Sequence, residues 1–276
     1  MSRVLLIGSN GLLGKRVKSK LIEEGYCVIG VTRSEGFDIQ VQESFDFLDY
    51  EFEYVVNLAA LVQVSVDCIE DAIMINGLGA LNAAEFSRKA GARFINASTI
   101  SAHQCSNNNY CKSYYAISKR LGDELVERYC VDRKLSCSIL RFPQLYDTEC
   151  VAEKYQPMLY RIIKQLKYDK CVTLYGNSNP SRNYLHIDDA ASAILISMKD
   201  NRTGVWNCIH PLSISLLDLV KTVAKLLDVP ACVNRLEDKE DVPYLEIPDQ
   251  DLFHLSHSEW KPKELSVGLK DILAHV

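Results

Sequence analysis

Through the first half of the chain, apolar runs of strand length alternate with stretches whose apolar residues recur at helical spacing. Arg3–Ile7 (RVLLI) predicts a buried strand, and Leu12–Glu24 a helix with Leu12, Leu13, Val17, Leu21 and Ile22 on one side. Tyr26–Thr32 predicts a second strand, and a short third is expected near Phe37–Ile39. Tyr54–Leu58 and Arg93–Ala97 read as the fourth and fifth, with a helix through Ala72–Arg88 between them. Ser113 is placed to cap a long helix over Tyr114–Arg133, and Ser136–Phe142 reads as a sixth strand. Strands separated by helices predict βαβ units on a parallel sheet, an α/β doubly wound (Rossmann) fold. After Pro143 the alternation loosens. Turn residues cluster at Gly176–Ser181, strands are expected at Cys171–Leu174 and Val205–Cys208, and helices at Asp188–Met198, Ser215–Leu227 and within the last dozen residues. With no second βαβαβ series, this part predicts a small C-terminal α/β lobe over one edge of the sheet.

Composition narrows the function classes. The 276 residues are 47% hydrophobic and 24% charged, ordinary values for a globular protein, and a net charge of −5 gives no electrostatic reason to expect nucleic acid or an anionic membrane as partner. No apolar run approaches the roughly 18–20 residues a membrane span requires. The N-terminal run is too quickly interrupted by glycine to read as a signal peptide, so a cytoplasmic location is expected. Ten cysteines are scattered without a CxxC pair, which argues against a zinc site and a redox dithiol and predicts reduced thiols. His254 and His257 lack a cysteine or carboxylate partner at ligand spacing, so no metal is expected.

GSNGLLG places Gly8, Gly11 and Gly14 directly after the first strand and at the mouth of a helix. Gly8 permits a tight turn, Gly11 close approach of a pyrophosphate to the backbone, and Gly14 close helix–sheet packing. Asn10, Leu12 and Leu13 share that turn, where the helix N-terminus favours an anion. The end of strand two selects the cofactor. Arg33 and Ser34 suit a 2′-phosphate, predicting NADP, whereas Glu35 offers the carboxylate that NAD would use. Asp38, just beyond, is assigned to the same adenosine end.

YYAISK puts Tyr115 and Lys119 four residues apart, on one face of a helix at the C-terminal edge of the sheet. An ammonium about 5 Å from a phenolate, at an effective dielectric near 20, interacts by roughly 3 kcal/mol. The expectation is a Tyr115 pKa lowered by about two units, suited to exchanging a proton with a substrate oxygen. A second pair of equal spacing, Tyr160–Lys164, falls beyond strand six and reads as part of an ordinary lobe helix.

The GxxGxxG spacing and YxxxK together resemble the short-chain dehydrogenase/reductase superfamily, specifically its extended branch acting on nucleotide sugars. The resemblance continues along nearly the whole chain. NLAA brings Leu58, Ala59 and Ala60 beside the cofactor, and INGLGALNAAEF aligns Asn76 with an active-site asparagine. FINAST aligns Thr99 with the catalytic Ser/Thr position, Ser98 being the alternative. LRFPQLYD aligns Phe142 with the cofactor site and Gln144 with a substrate-binding asparagine, and puts Asp147 where the family has glycine. SRNYLHIDDAASAIL aligns Arg182 with the arginine that grips the nucleotide diphosphate, and leaves His186 structural. The resemblance implies a Rossmann domain over 1–145, with 183–200 packing back on it, and a substrate lobe from 146–182 and 201–276. It also implies a nucleotide-sugar substrate and allows a homodimer. One departure stands out: the hydroxyl-to-tyrosine spacing is 16 residues, so the loop between them is shorter than usual for this branch.

A dehydratase of this family carries an Asp-Glu pair after the catalytic hydroxyl; Ile100 and Ser101 stand there instead. Two enzyme readings remain: a 4-keto-sugar reductase using NADPH through a Thr99–Tyr115–Lys119 triad, and a 4-epimerase with retained NAD. A third reading, from a different class, is a non-catalytic NADP-sensing regulator.

Overall fold

The computed structural model of the chain describes residues 1–103 and 113–276. The first apolar run forms strand β1 (Arg3–Ile7), with Val4, Leu5 and Leu6 fully buried, as in a strand covered on both faces. Helix α1 (Leu12–Glu23) turns Gly14, Val17 and Leu21 inward and returns the chain to β2 (Cys27–Val31). β3 (Tyr54–Asn57) leads to an unbroken helical stretch: α2 (Ile69–Ala72), a π-helical segment at Ile73–Leu78, and α3 (Gly79–Ala90). β4 (Arg93–Thr99), α4 (Tyr114–Arg133) and β5 (Cys137–Phe142) follow. Ser113 caps α4 as its pattern predicts, its hydroxyl accepting from the Ala116 N–H.

The second half contributes β6 (Gln144–Tyr146), α5 (Pro157–Lys164), β7 (Cys171–Tyr175), β8 (Ser181–Arg182) and β9 (Tyr184–His186). Next come α6 (Ile187–Lys199), β10 (Gly204–Asn207), β11 (Ile214–Ser215), α7 (Leu216–Leu227) and β12 (Cys232–Leu236). The chain closes with α8 (Phe253–Ser256) and α9 (Leu265–His275). Six strands pair in parallel in the order β10-β5-β4-β3-β1-β2. From β1 the chain first builds β2 on one side and then β3 on the other. That reversal opens a crevice beyond the C-terminal ends of β1 and β3, where doubly wound folds hold ligands. One apolar core joins the sheet to α1 and α6, and another joins its opposite face to α3 and α4. A third, with Leu159, Ile163, Leu174, Leu219, Val223 and Leu269, lies in the second half of the chain.

Four expectations change. No strand forms at Phe37–Ile39: Phe37 and Ile39 are buried, but the Asp38 carboxylate accepts from the Gln40 N–H, a local turn that competes with ladder pairing. β4 runs to Thr99 rather than Ala97, with Ser98 and Thr99 opposite Arg141 and Phe142 of β5. Within 201–276, assigned from sequence to the lobe, β10 is a strand of the main sheet and Phe253 and Trp260 pack into its core. The cysteines are not all thiols: the β7–β12 register sets Cys171 beside Cys232, and the two are disulfide-bonded. Cys105 and Cys111, like most of the short loop between Thr99 and Tyr115, lie outside the described residues.

Candidate active site

The glycine turn takes the form its sequence predicts. Gly8 has φ +84°, and a Cβ there would lie 2.8 Å from the Ala59 nitrogen. A Cβ on Gly14 would lie 2.1 Å from the Gly8 carbonyl, so only glycine lets α1 pack this closely. Gly11 is the N-cap of α1, and a Cβ there would approach only the Gly8 oxygen, at 3.3 Å. The first turn of α1 contains no acidic residue, and its leading amides have no helical acceptor. This cradle fits a dinucleotide pyrophosphate.

Two cavities flank the turn. The first, about 390 Å³, is lined by Gly8, Asn10, Arg33, Ser34, Asp38 and Ala59, with Phe37, Ile39 and Ile75 among its apolar walls. Arg33 and Ser34 are exposed at its rim. Glu35 is not among its lining residues; its carboxylate accepts from the Thr32 hydroxyl at 2.8 Å. The second cavity, about 240 Å³, brings Gly11, Leu12, Leu13 and Gly14 together with Leu58, Ala60, Ser98, Thr99, Tyr115, Lys119 and Phe142. Residues separated by more than 100 positions thus share one wall.

Tyr115 and Lys119 stand on successive turns of α4. Lys119 is 3% exposed and its Nζ donates to the Ala97 carbonyl of β4 at 2.6 Å. One turn further, Asp123 is buried and accepts from Arg141 Nε of β5 at 2.8 Å. The electrostatics differ from the simple pair expectation. Burial pushes the Tyr115 phenol well above its ordinary range, and the Asp123 carboxylate adds to the rise. Burial lowers the Lys119 ammonium, with Asp123 opposing. Desolvation of both groups and the nearby negative charge outweigh the attraction inferred from spacing alone. Thr99 Oγ1 accepts from the Ser101 N–H at 3.2 Å, which leaves its own proton free to donate. Ser98 Oγ is buried and closes no hydrogen bond among the described residues.

Three other residues assigned from sequence line neither cavity. The Asn76 amide, on the π-helical segment, accepts from Leu61 N and donates to Leu61 O and Ser118 Oγ. It therefore ties the cavity-lining loop to α4 rather than facing a ligand. Gln144 leaves its buried Oε1 without a partner among the described residues. Arg182 is 5% exposed and donates to the carbonyls of Ser181 and Pro243. His186 caps α6 by accepting from the Asp188 N–H. His257 is buried against Phe253 and shares a hydrogen bond with Asp200. Among the described residues, no group of three or more His, Cys, Asp or Glu side chains could hold a metal ion, and no helix is long and apolar enough to cross a membrane.

Sequence reasoning missed Val62, Tyr155 and Gln156 in the second cavity, and the Asp123–Arg141 pair beside it. Asp123 had a usable signal, four residues beyond Lys119 on the same helical face. Tyr155 and Gln156 had none. They arrive through a turn at Val151–Lys154 whose Val151 and Ala152 N–H groups donate to the Asp147 carboxylate. Asp147 in place of glycine is thus a capping residue.

Comparison with known proteins identifies the family. Residues 4–208 match the NAD dependent epimerase/dehydratase family, and the chain belongs to that family. It is 24% identical to protein CapI of Staphylococcus aureus over 76% of its own length and 73% of CapI. It is 33% identical to the spore coat polysaccharide biosynthesis protein SpsK of Bacillus subtilis (strain 168) over 46% of its length, spanning 48% of that relative. Among solved structures, the UDP-glucose 4-epimerase of Thermus thermophilus in complex with NAD superposes with a TM-score of 0.74 at 22% identity, covering 99% of this chain and 98% of that one. That likeness is one of fold.

Proposed function

We propose that the protein is an NAD(P)H-dependent reductase acting on a 4-keto nucleotide sugar. One observation carries the reading: the cavity holding Tyr115 and Lys119 contains hydroxyls, two phenols, an amide and an ammonium but no carboxylate among its described lining residues. Reduction of a ketone needs a proton donor and no carbon acid–base pair, whereas dehydration needs carboxylates beside the reacting carbons.

When bound, the nicotinamide cofactor supplies the hydride. The glycine turn and the α1 N-terminus hold its pyrophosphate, and Leu58, Ala60 and Phe142 form apolar walls that exclude water from the ring. The Tyr115 hydroxyl donates its proton to the substrate carbonyl oxygen, and Thr99, with Ser98 as the alternative, donates a hydrogen bond to that oxygen. Lys119 holds positive charge next to the oxygen as negative charge develops. Burial that keeps Tyr115 protonated suits this direction, in which the residue starts as an acid. Arg33 at the rim of the adenosine cavity, with Glu35 engaged by Thr32, supports NADPH as the preferred cofactor.

A second reading, a nucleotide-sugar 4-epimerase with retained NAD, is favoured by the family's NAD dependence and by the whole-length fold shared with the Thermus epimerase. Incubation with a panel of keto and non-keto nucleotide sugars plus NADPH, followed by mass spectrometry, separates the two. The reductase adds two hydrogens to a keto substrate and oxidises one NADPH for each. Isomerisation at constant mass without cofactor consumption establishes the epimerase instead. For the cofactor, Arg33→Ala weakens NADPH binding by about tenfold or more and spares NADH, from loss of a charge-assisted contact of roughly 1.5–3 kcal/mol. Equal titration curves before and after the substitution remove Arg33 from the site.

A further inference from the structure

Lys119 has an unusual situation for a buried cation. Its Nζ hydrogen bond goes to a neutral carbonyl, and no carboxylate lies within ion-pair distance of it among the described residues. An isolated ammonium in such a place tends to lose its proton. Asp123, one turn along the same helical face, is 1% exposed and is the carboxylate that acts on both Lys119 and Tyr115. One Asp123 oxygen is committed to Arg141 and Oδ1 is buried; burial pushes the carboxyl above its usual range, with Arg141, Lys119 and the neighbouring Ser98 hydroxyl opposing the rise. The register of α4 is fixed as well. A Cβ on Gly122 would lie 2.2 Å from the Asn76 carbonyl, so α4 is held close against the π-helical segment Ile73–Leu78.

Resting on the reading of Tyr115 and Lys119 as the reacting pair, we propose that Asp123 is a positioning residue whose buried carboxylate, anchored by Arg141, serves as the counter-charge that keeps Lys119 an ammonium. Of the other elements packed on α4, α3 carries Glu85, Arg88 and Lys89, the first two bonded to Tyr129 further along α4. Within α4 the pair faces Tyr115; β5 contributes Arg141 and the buried Cys137 thiol, which neighbours Cys130 of α4. β4 offers the non-titrating hydroxyls of Ser98 and Thr99, while the Ile100–His103 turn adds His103, and α2 carries Glu70 and Asp71 in exposed positions. The plainer alternative is that Asp123 and Arg141 merely tie α4 to β5, as buried ion pairs do in many cores.

The sign of the effect separates the two. Removing the negative charge makes a phenolate easier to form at Tyr115 and an ammonium harder to keep at Lys119. Both therefore titrate at lower pH.

Two readouts test this on the full chain. The first needs neither cofactor nor substrate: the ultraviolet absorbance change of phenolate formation, taken as each protein minus its Tyr115→Phe counterpart. The second is kcat against pH with NADPH and a keto nucleotide sugar. In Asp123→Asn the Tyr115 titration and the alkaline limb of kcat both move to lower pH by about 1 unit or more, and Asp123→Glu restores them. Since Asp123→Asn leaves Arg141 unpaired, Asp123→Asn with Arg141→Gln serves where the single variant does not fold, and the shift persists there. A folded variant lacking the carboxylate with unchanged titration and pH profile overturns the proposal. Full turnover by Tyr115→Phe instead overturns the assignment of the reacting pair, and the titration still reports on Asp123.

Discussion

Two segments of this chain carry the same Tyr-x-x-x-Lys spacing on helices of the same fold, yet their surroundings differ completely. On α4, Tyr115 and Lys119 line a cavity at the C-terminal edge of the sheet, and among the described residues Lys119 is bonded only to a main-chain carbonyl. On α5, Tyr160 is 1% exposed, and its hydroxyl accepts from the Asp147 N–H and bonds the Asp147 carboxylate. Its Lys164 points to solvent and grips both oxygens of Glu153, at 2.7 and 2.6 Å. The α5 tyrosine is locked into a cap and its lysine is already neutralised. What puts one pair on a cavity wall is its place at the end of β4 and β5, not its spacing.

Exchanging single groups between the two settings tests that contrast. The largest effect is expected from Tyr115→Phe, which lowers kcat by about 10²–10⁴-fold, whereas Tyr160→Phe leaves kcat unchanged in steady-state assay. Tyr160→Phe instead lowers stability by about 1–3 kcal/mol in urea unfolding, because buried Asp147 loses a partner. Lys119→Met comes next, with kcat/KM reduced about 10–100-fold through loss of a charge-assisted interaction of roughly 1.5–3 kcal/mol. Gly122→Ala probes the seating of α4 alone: the clash with the Asn76 carbonyl should cost about 1–3 kcal/mol on thermal melting and reduce turnover, since α5 has no comparable contact in its register. Smallest is Lys164→Met, at under about 1 kcal/mol, because both partners are more than a third exposed. Hydrogen bonding to Glu153 raises the Lys164 pKa. Its contribution is therefore present below the unfolded-state lysine pKa and lost as pH rises through the elevated folded value, so wild type and variant converge in strongly alkaline melts. A Tyr160→Phe protein with lost turnover but native stability would falsify the contrast.

The legible parts were those where local backbone demands and ligand chemistry coincide. Gly8 and Gly14 could be read because no other residue fits their turn, and the place of Tyr115 on a cavity wall because α4 is the helix that follows β4. The Phe37–Ile39 segment misled because two buried apolar residues around a polar one look like a strand, while the Asp38 turn that prevents pairing leaves little trace in the pattern. The direction of the Tyr115 shift could not be read from spacing either: it depends on burial, and on Asp123 and Arg141 meeting across α4 and β5. Asn76 was placed in the right neighbourhood but faces Leu61 and Ser118. In the lobe, Tyr155 and Gln156 reach the cavity only through the Asp147-capped turn, and that tertiary arrangement has no periodic signature.

The bridge between Cys171 and Cys232 gives this polypeptide two covalent identities. It closes a segment with a sequence separation of 61, and a crosslink over such a span restricts the unfolded chain by about 4 kcal/mol on a loop-entropy basis. Between those cysteines lie α6 and β10, which belong to the main sheet and its core, so the staple girdles part of the main sheet as well as β7 and β12. Material handled with dithiothreitol and material handled in air are thus distinct thermodynamic species, and their melting temperatures should differ even though their fold does not.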